Sequence, residues 1–305
     1  MSDGSNVAKL IPQTLVTTQH VPFEACKQRE IRLDVLRLDQ LHPVVSGNKY
    51  FKLKYPVAHA VATRAPGIIS FGGAYSNHLV ALAKYCADSG LHSVGYVRGE
   101  PAASPSLSLK DAISYGMTVQ YLPRFQYANK ESLYHELRTR YPGYLIVPEG
   151  GRSEEGARGA AEIAALTDYS SYDIIAAAVG TGTMLAGLLR AAGADQRVLG
   201  ISSLKLQPGN DVEAFIKNMV PSKQFEMNYD FHFGGYAKTN DRLIDFMNEC
   251  WELYHLPLDF VYTAKLMIGL EQLVSNDYFP PGTSILAIHS GGLQGNRSLA
   301  NKLVF

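Results

Sequence analysis

AAAVGTGTMLAG, residues 176–187, is the stretch that decides the fold. An apolar run, Ile174 to Val179, meets Gly180-Thr181-Gly182-Thr183 and passes into a second apolar segment of helical character. Buried strand, tight loop and helix in that order form the repeating unit of an α/β sheet. The loop is not a dinucleotide fingerprint, because Leu185 stands where the third glycine belongs, and no Gly-Lys-Ser/Thr follows to make a Walker loop. What remains is a turn whose backbone N–H groups and two hydroxyls, on Thr181 and Thr183, could hold one phosphate at the positive end of a helix. An ordinary glycine turn packed against a neighbour is the plainer alternative.

Working outward, the same alternation recurs. Ile31 to Leu38 reads as a strand, and a helix follows Lys49 with Tyr50, Leu53 and Val57 on its buried side. Pro56 is expected to end or kink that helix early. Gly67 to Phe71 is a short strand closed by Gly72-Gly73, followed by a helix from His78 to Ser89. Strands are expected at His92–Val97, Met117–Leu122 and Tyr144–Val147, with a helix at Ser106–Tyr115. PEGGRSEEGARG, Pro148 to Gly159, is read as a loop crossing between domains, on its four glycines and its charges. Beyond Val179 come a strand Val198–Ser202, a helical stretch from Asp211, a long helix Asp241–Tyr254 and a last strand Ser284–Ile288. Two α/β lobes with parallel sheets, and a ligand cleft at the carboxyl ends of the strands, are the expectation.

Composition narrows the function classes. The 305 residues are 46% hydrophobic and 18% charged, which is the profile of a folded globular chain. Lys+Arg 28 against Asp+Glu 28 leaves no formal net charge, so nucleic acid and anionic membrane are poor expectations as partners. Cys26, Cys86 and Cys250 lie far apart and form no Cys-x-x-Cys. The start, MSDGSNVAKLIPQTL, lacks the basic and apolar regions of a signal peptide, and a cytoplasmic location is expected. His78, His232 and His289 show no ligand spacing, so no metal site is expected.

Three pieces carry chemistry. Lys49 follows Ser46-Gly47-Asn48 at the start of a helix, and the turn can aim its amine into a cleft; a surface lysine on a solvated helix is the alternative. Ser76, Asn77 and His78 follow Gly72-Gly73, where Ser and Asn cap a helix and can also offer donors to a substrate carboxylate. A lysine for imine formation, a polar loop and a phosphate cup are together the working parts of a pyridoxal-phosphate enzyme. Tyr236, after Gly234-Gly235, and Tyr262, in DFVYTAK, are singled out by context, although each alone reads as a packing residue. AIHSGGLQGN, Ala287 to Asn296, repeats the strand-to-glycine transition and offers another wall of the cleft.

From about Arg37 to Asn296 the chain resembles the fold-type-II pyridoxal-phosphate enzymes grouped as 1-aminocyclopropane-1-carboxylate deaminases and D-cysteine desulfhydrases. Gly47-Asn48-Lys49 matches the family's Gly-Asn-Lys, and Gly72, Gly73, Ser76 and Asn77 match its Gly-Gly-x-x-Ser-Asn loop. The resemblance implies a tryptophan-synthase-β-like fold, with residues 1–50 and 156–305 as a large cofactor-binding domain and 51–155 as a smaller inserted one. It implies Lys49 as the lysine joined to the cofactor, Asn77 on its phenolic oxygen, and Gly180, Thr181, Gly182 and Thr183 around its phosphate with Lys52 assisting. Ser76, Asn77 and His78 would meet the substrate, and Ser76, Tyr236 and Tyr262 would serve catalysis. A homodimer acting on a small amino acid is implied as well.

Two departures bear on the subclass. Deaminase members resemble Val-Tyr-Glu-Gly-Lys and His-Leu-Gly-Gly, whereas this chain has Val261-Tyr262-Thr263-Ala264-Lys265 and His289-Ser290-Gly291-Gly292. Phe51 and Phe260 stand where members often have arginine and proline. A hydroxyl at Thr263 need not keep the cofactor's pyridine nitrogen protonated as a carboxylate does, and Ser290 adds a second hydroxyl near the cofactor. On this reading D-cysteine desulfhydration, to pyruvate, ammonia and sulfide, comes first. Deamination of 1-aminocyclopropane-1-carboxylate to 2-oxobutanoate and ammonia is the alternative, and a cofactor-binding protein without turnover a distant third.

Overall fold

A computed structural model describes residues 16–305, so the stretch read for a signal peptide lies outside the described residues. Two sheets organise the chain. The larger has six strands in the spatial order β1 (Thr18–His20), β2 (Arg32–Arg37), β10 (Ser284–His289), β7 (Ile174–Val179), β8 (Arg197–Ser202) and β9 (Glu226–Asn228). All neighbours in it are parallel except the edge pair β1 and β2. The smaller sheet orders β5 (Met117–Leu122), β4 (His92–Arg98), β3 (Gly67–Gly72) and β6 (Leu145–Ile146), all parallel.

Period-two geometry sorts the buried side chains of β7 between two cores. Ile175, Ala177 and Val179 pack with α2 (Asn48–Ala62), α7 (Glu154–Ala161) and α8 (Thr183–Ala191). Ile174, Ala176 and Ala178 face the other way, toward α10 (Asp241–Tyr254) and α11 (Thr263–Ser275). In the smaller sheet Ile69, Phe71, Val94 and Tyr96 meet α5 (Arg124–Ala128) and α6 (Tyr134–Arg140), while Ile68 and Val97 face α3 (Asn77–Asp88) and α4 (Leu107–Ser114). α1 (Glu24–Gln28) and α9 (Asp211–Met219) complete the cover. No helix among the described residues is long and apolar enough to cross a membrane.

Three readings of the sequence change. α2 runs through Pro56 to Ala62 rather than stopping early, because Tyr50, Leu53, Val57 and Ala60 all gain burial that offsets the one hydrogen bond proline removes. The expected loop Pro148–Gly159 is half helix. Ser153 caps α7 by accepting from the Gly156 N–H, and the glycines serve close packing, since a Cβ on Gly159 would lie 1.9 Å from the Phe51 carbonyl oxygen of α2. α11 went unread, because its residues Thr263 to Leu270 are buried on every side and show no amphipathic stripe. The chain changes sheets between β2 and β3 and again between β6 and β7. Domain boundaries drawn at 50/51 and 155/156 would each cut a helix, α2 and α7 respectively.

Candidate active site

A cavity of about 340 Å³ opens where strands of both sheets end. β3 delivers Gly73, Ser76 and Asn77, β4 delivers Arg98, β7 delivers Gly180 to Gly182, and β10 delivers Ser290; Lys49, Lys52 and Asn48 come from the start of α2. The carboxyl-end placement is the one an open parallel sheet favours for a ligand.

Lys49 owes its position to Gly47, whose φ of +63° and ψ of −143° suit glycine alone. A Cβ on Gly47 would lie 1.9 Å from the Ser290 carbonyl oxygen, and that oxygen accepts from the Asn48 N–H at 3.2 Å. The start of α2 is thereby fastened to the end of β10. The Lys49 amine donates to Asn48 Oδ1 at 2.6 Å and lies 5.9 Å from the centre of the Tyr262 ring. Burial pushes its pKa down to about 8, with the Asp259 carboxylate opposing. Lys52 also reaches the cavity; burial and then the nearby Lys49 hold it well below the usual lysine range, and it pairs with no carboxylate among the described residues.

Ser76 is the N-cap of α3, its Oγ accepting from the Leu79 N–H at 3.3 Å. Asn77 donates from Nδ2 to the Gly292 carbonyl at 3.3 Å, and its Oδ1 is buried with no hydrogen-bond partner. His78 lines the cavity and shares a 2.8 Å hydrogen bond between Nε2 and Ser70 Oγ, while Nδ1 is buried with no hydrogen-bond partner. Burial, and then Lys49 and Lys52, push His78 down to about 3, so its imidazole is neutral.

The cup at the start of α8 is held by Gly182, at φ +82°. The Thr181 and Gly182 N–H groups make no turn or loop hydrogen bond among the described residues. Thr181 is on the cavity wall. Thr183 is fully buried, its hydroxyl 3.1 Å from that of Thr181, and it supports the cup from behind. The Tyr262 ring packs over Gly180, where a Cβ would come within 3.0 Å of it, and Tyr236 meets that ring edge-on with centres 6.3 Å apart. Burial raises Tyr262 well above the usual tyrosine range, so it remains a neutral hydroxyl.

Thr263 does not line the cavity. Its hydroxyl donates to Asp259 Oδ1 at 2.9 Å and accepts from the Asp259 N–H at 2.7 Å, four residues back in the chain. Ser290 is on the wall as expected. The sequence reading missed Arg98, Glu149 and Arg152 at the rim and the buried Asp259 and Lys265 behind it. Only Asp259 and Lys265 carried a signal, as charged residues in an otherwise apolar run.

The lining suits a phosphorylated aromatic aldehyde. Free N–H groups at a helix N-terminus and the Lys52 amine match a phosphate, an orphaned Asn77 Oδ1 matches a hydroxyl or ring donor, and a lowered-pKa amine matches a carbonyl carbon. Removing one cup contact tests this. Thr181→Ala, which adds no bulk, is expected to weaken pyridoxal-phosphate binding by about 1.5–3 kcal/mol, or roughly ten- to a hundredfold, with little change in melting temperature. Fluorescence titration of the apoprotein measures it, and unaltered affinity would make the loop merely structural.

Comparison with known proteins agrees with this fit. The family model described as pyridoxal-phosphate dependent enzyme matches residues 21–291. A Pyrococcus horikoshii protein named "Putative 1-aminocyclopropane-1-carboxylate deaminase" is 28% identical over 298 residues, 90% of this chain and 90% of that protein. A Thermotoga maritima protein of the same name is 28% identical, over 88% of this chain and 91% of its own length. Among solved structures, an ACC deaminase homologue superposes with a TM-score of 0.81 at 23% identity, covering 99% of this chain and 100% of the other. Serine racemase from Dictyostelium discoideum superposes at 0.66 with 16% identity, over 94% and 95% of the two chains.

Proposed function

The chain belongs to the pyridoxal-phosphate dependent enzymes, and from that premise we propose that it is a deaminating lyase of a small amino acid, with 1-aminocyclopropane-1-carboxylate as first substrate. The observation that carries the reading is the convergence of Lys49, Ser76, Asn77 and Thr181 on one cavity. Pyridoxal phosphate, when bound, supplies an electron sink for charge developing at the substrate's α-carbon.

The residues divide the remaining work. The α3 N-terminus with Ser76 and Asn77 receives the substrate carboxylate, since donors and helix dipole both favour an anion there. Lys49 anchors the cofactor and, once displaced, is a base whose lowered pKa leaves much of it neutral near pH 8. Tyr262 and Tyr236 line the same cavity with neutral hydroxyls, suited to hold or deliver a proton.

The names of the relatives favour the cyclopropane substrate over D-cysteine. Thr263, one of the two hydroxyls that would favour D-cysteine, is engaged by Asp259 away from the cavity. One observation keeps D-cysteine as the second reading, namely the Ser290 hydroxyl on the wall where deaminase members resemble leucine. A head-to-head assay of both substrates separates them. Ring opening is expected to give 2-oxobutanoate and ammonia with the higher kcat/KM. Sulfide and pyruvate from D-cysteine with no ring opening would install the second reading, and turnover of neither would remove both.

A further inference from the structure

Lys265 is a lysine in the wrong place by two ordinary rules. It is fully buried, and it lies in the first turn of α11, where the helix dipole disfavours a cation. It forms no ion pair within 4.0 Å among the described residues. Its Nζ instead donates to three backbone carbonyls, Gly235 at 2.7 Å, His232 at 2.9 Å and Ser203 at 3.4 Å.

The loop that supplies two of those carbonyls needs holding. Phe233, Gly234, Gly235 and Ala237 all have positive φ, at 50°, 90°, 111° and 53°. For Phe233 and Ala237 that conformation is unfavourable, and it persists only where the surroundings impose it. Tyr236 sits inside this run, 42% exposed, with its ring against Tyr262 and its side chain on the cavity wall. Tyr262 precedes α11, three residues before Lys265. One amine therefore ties the backbone that leads directly into one site tyrosine to the helix that begins beside the other. Burial lowers the Lys265 pKa to about 8, against the pull of Asp259, and either protonation state has donors for the two short bonds.

We propose that Lys265 is a positioning residue, which clamps the 232–237 loop onto α11 and so sets Tyr236 against Tyr262 over the cavity. The proposal rests on the reading above in one respect, that Tyr236 works at this site.

Lys265→Met keeps an unbranched apolar side chain, one heavy atom shorter, and removes the donors. The holoenzyme variant is expected to load cofactor normally, to lose kcat by about 10–100-fold with KM little changed, and to exchange amide hydrogens faster at 231–238 than wild type. In a Tyr236→Phe background the same change is expected to add less than about twofold, because the residue it positions no longer has its hydroxyl. A full additional loss in that background, or unaltered exchange at 231–238, would overturn the proposal. If Lys265→Met does not fold, Lys265→Gln, which keeps one donor group, is taken through the same measurements. The exchange measurement needs no substrate, so it judges the clamp even if both substrates fail; the kinetic arms use whichever amino acid the wild type turns over.

Discussion

Alanine at position 49 is expected to abolish turnover, by about 10⁴-fold or more, while leaving the fold in place. The residue is replaceable structurally because what fixes this corner is backbone. Gly47 presses against the Ser290 carbonyl, and the Asn48 N–H bonds to the same oxygen. The Lys49 side chain contributes one hydrogen bond, to Asn48, and a pKa lowered by burial marks its charged form as unwelcome there. Losing it should alter stability by no more than about 0.5–1 kcal/mol. No chemical replacement is expected, although Lys52 lines the same cavity one turn along the helix. Lys52 lies against the 149–151 turn, where a Cβ on Gly151 would come 3.1 Å from its own Cβ, whereas Lys49 faces the tyrosine side. Borohydride reduction of the wild-type holoenzyme followed by peptide mapping should place the cofactor adduct on Lys49, and Lys49→Ala should show none. An adduct on Lys52 or Lys54 in the wild type would refute the assignment.

The parts of this molecule that could be read in its sequence are those where one local rule decides. β7 is an uninterrupted apolar run ending in glycine, and it was bounded correctly from Ile174 to Val179 because a strand covered on both faces leaves no other pattern. α10, from Asp241 to Tyr254, has Asn240 as cap and a clear apolar stripe. Glycine was harder. Gly47 and Gly182 were read as turn residues and are. Gly156 and Gly159 have the same letter and a different task, close approach to the Gly151 and Phe51 carbonyls, which only the packing reveals. Pro56 misled for a related reason, since local propensity yields where four neighbouring side chains are buried. In the site, short motifs placed Lys49, Ser76, Asn77 and Thr181 together, but Arg98 and Glu149 reach the rim through tertiary structure alone.

Asp259 shows what pattern reading overlooks, and its removal should have the largest effect on stability of any change at the site. The carboxylate is 1% exposed and accepts four hydrogen bonds, from the N–H groups of Val261, Tyr262 and Thr263 and from the Thr263 hydroxyl. It thus caps α11 from below and orients Tyr262, which has no capping side chain of its own. Asp259→Ala would leave three N–H groups without acceptors at a buried helix start, and is expected to cost about 3–5 kcal/mol. Asp259→Asn keeps one acceptor oxygen, and a smaller loss of about 1.5–3 kcal/mol is expected. Denaturant unfolding of the apoproteins measures both, and a change below about 0.5 kcal/mol for alanine would mean that the cap holds nothing. The milder variant also reports on the amine. Asp259 is the carboxylate that opposes the burial of Lys49, so removing its charge should move the Lys49 pKa further down, below about 8. Only the neutral amine attacks an aldehyde, so the pH at which the apoprotein reaches half its maximal labelling rate should fall in Asp259→Asn. A midpoint that stays put or rises would show that the carboxylate does not act on Lys49.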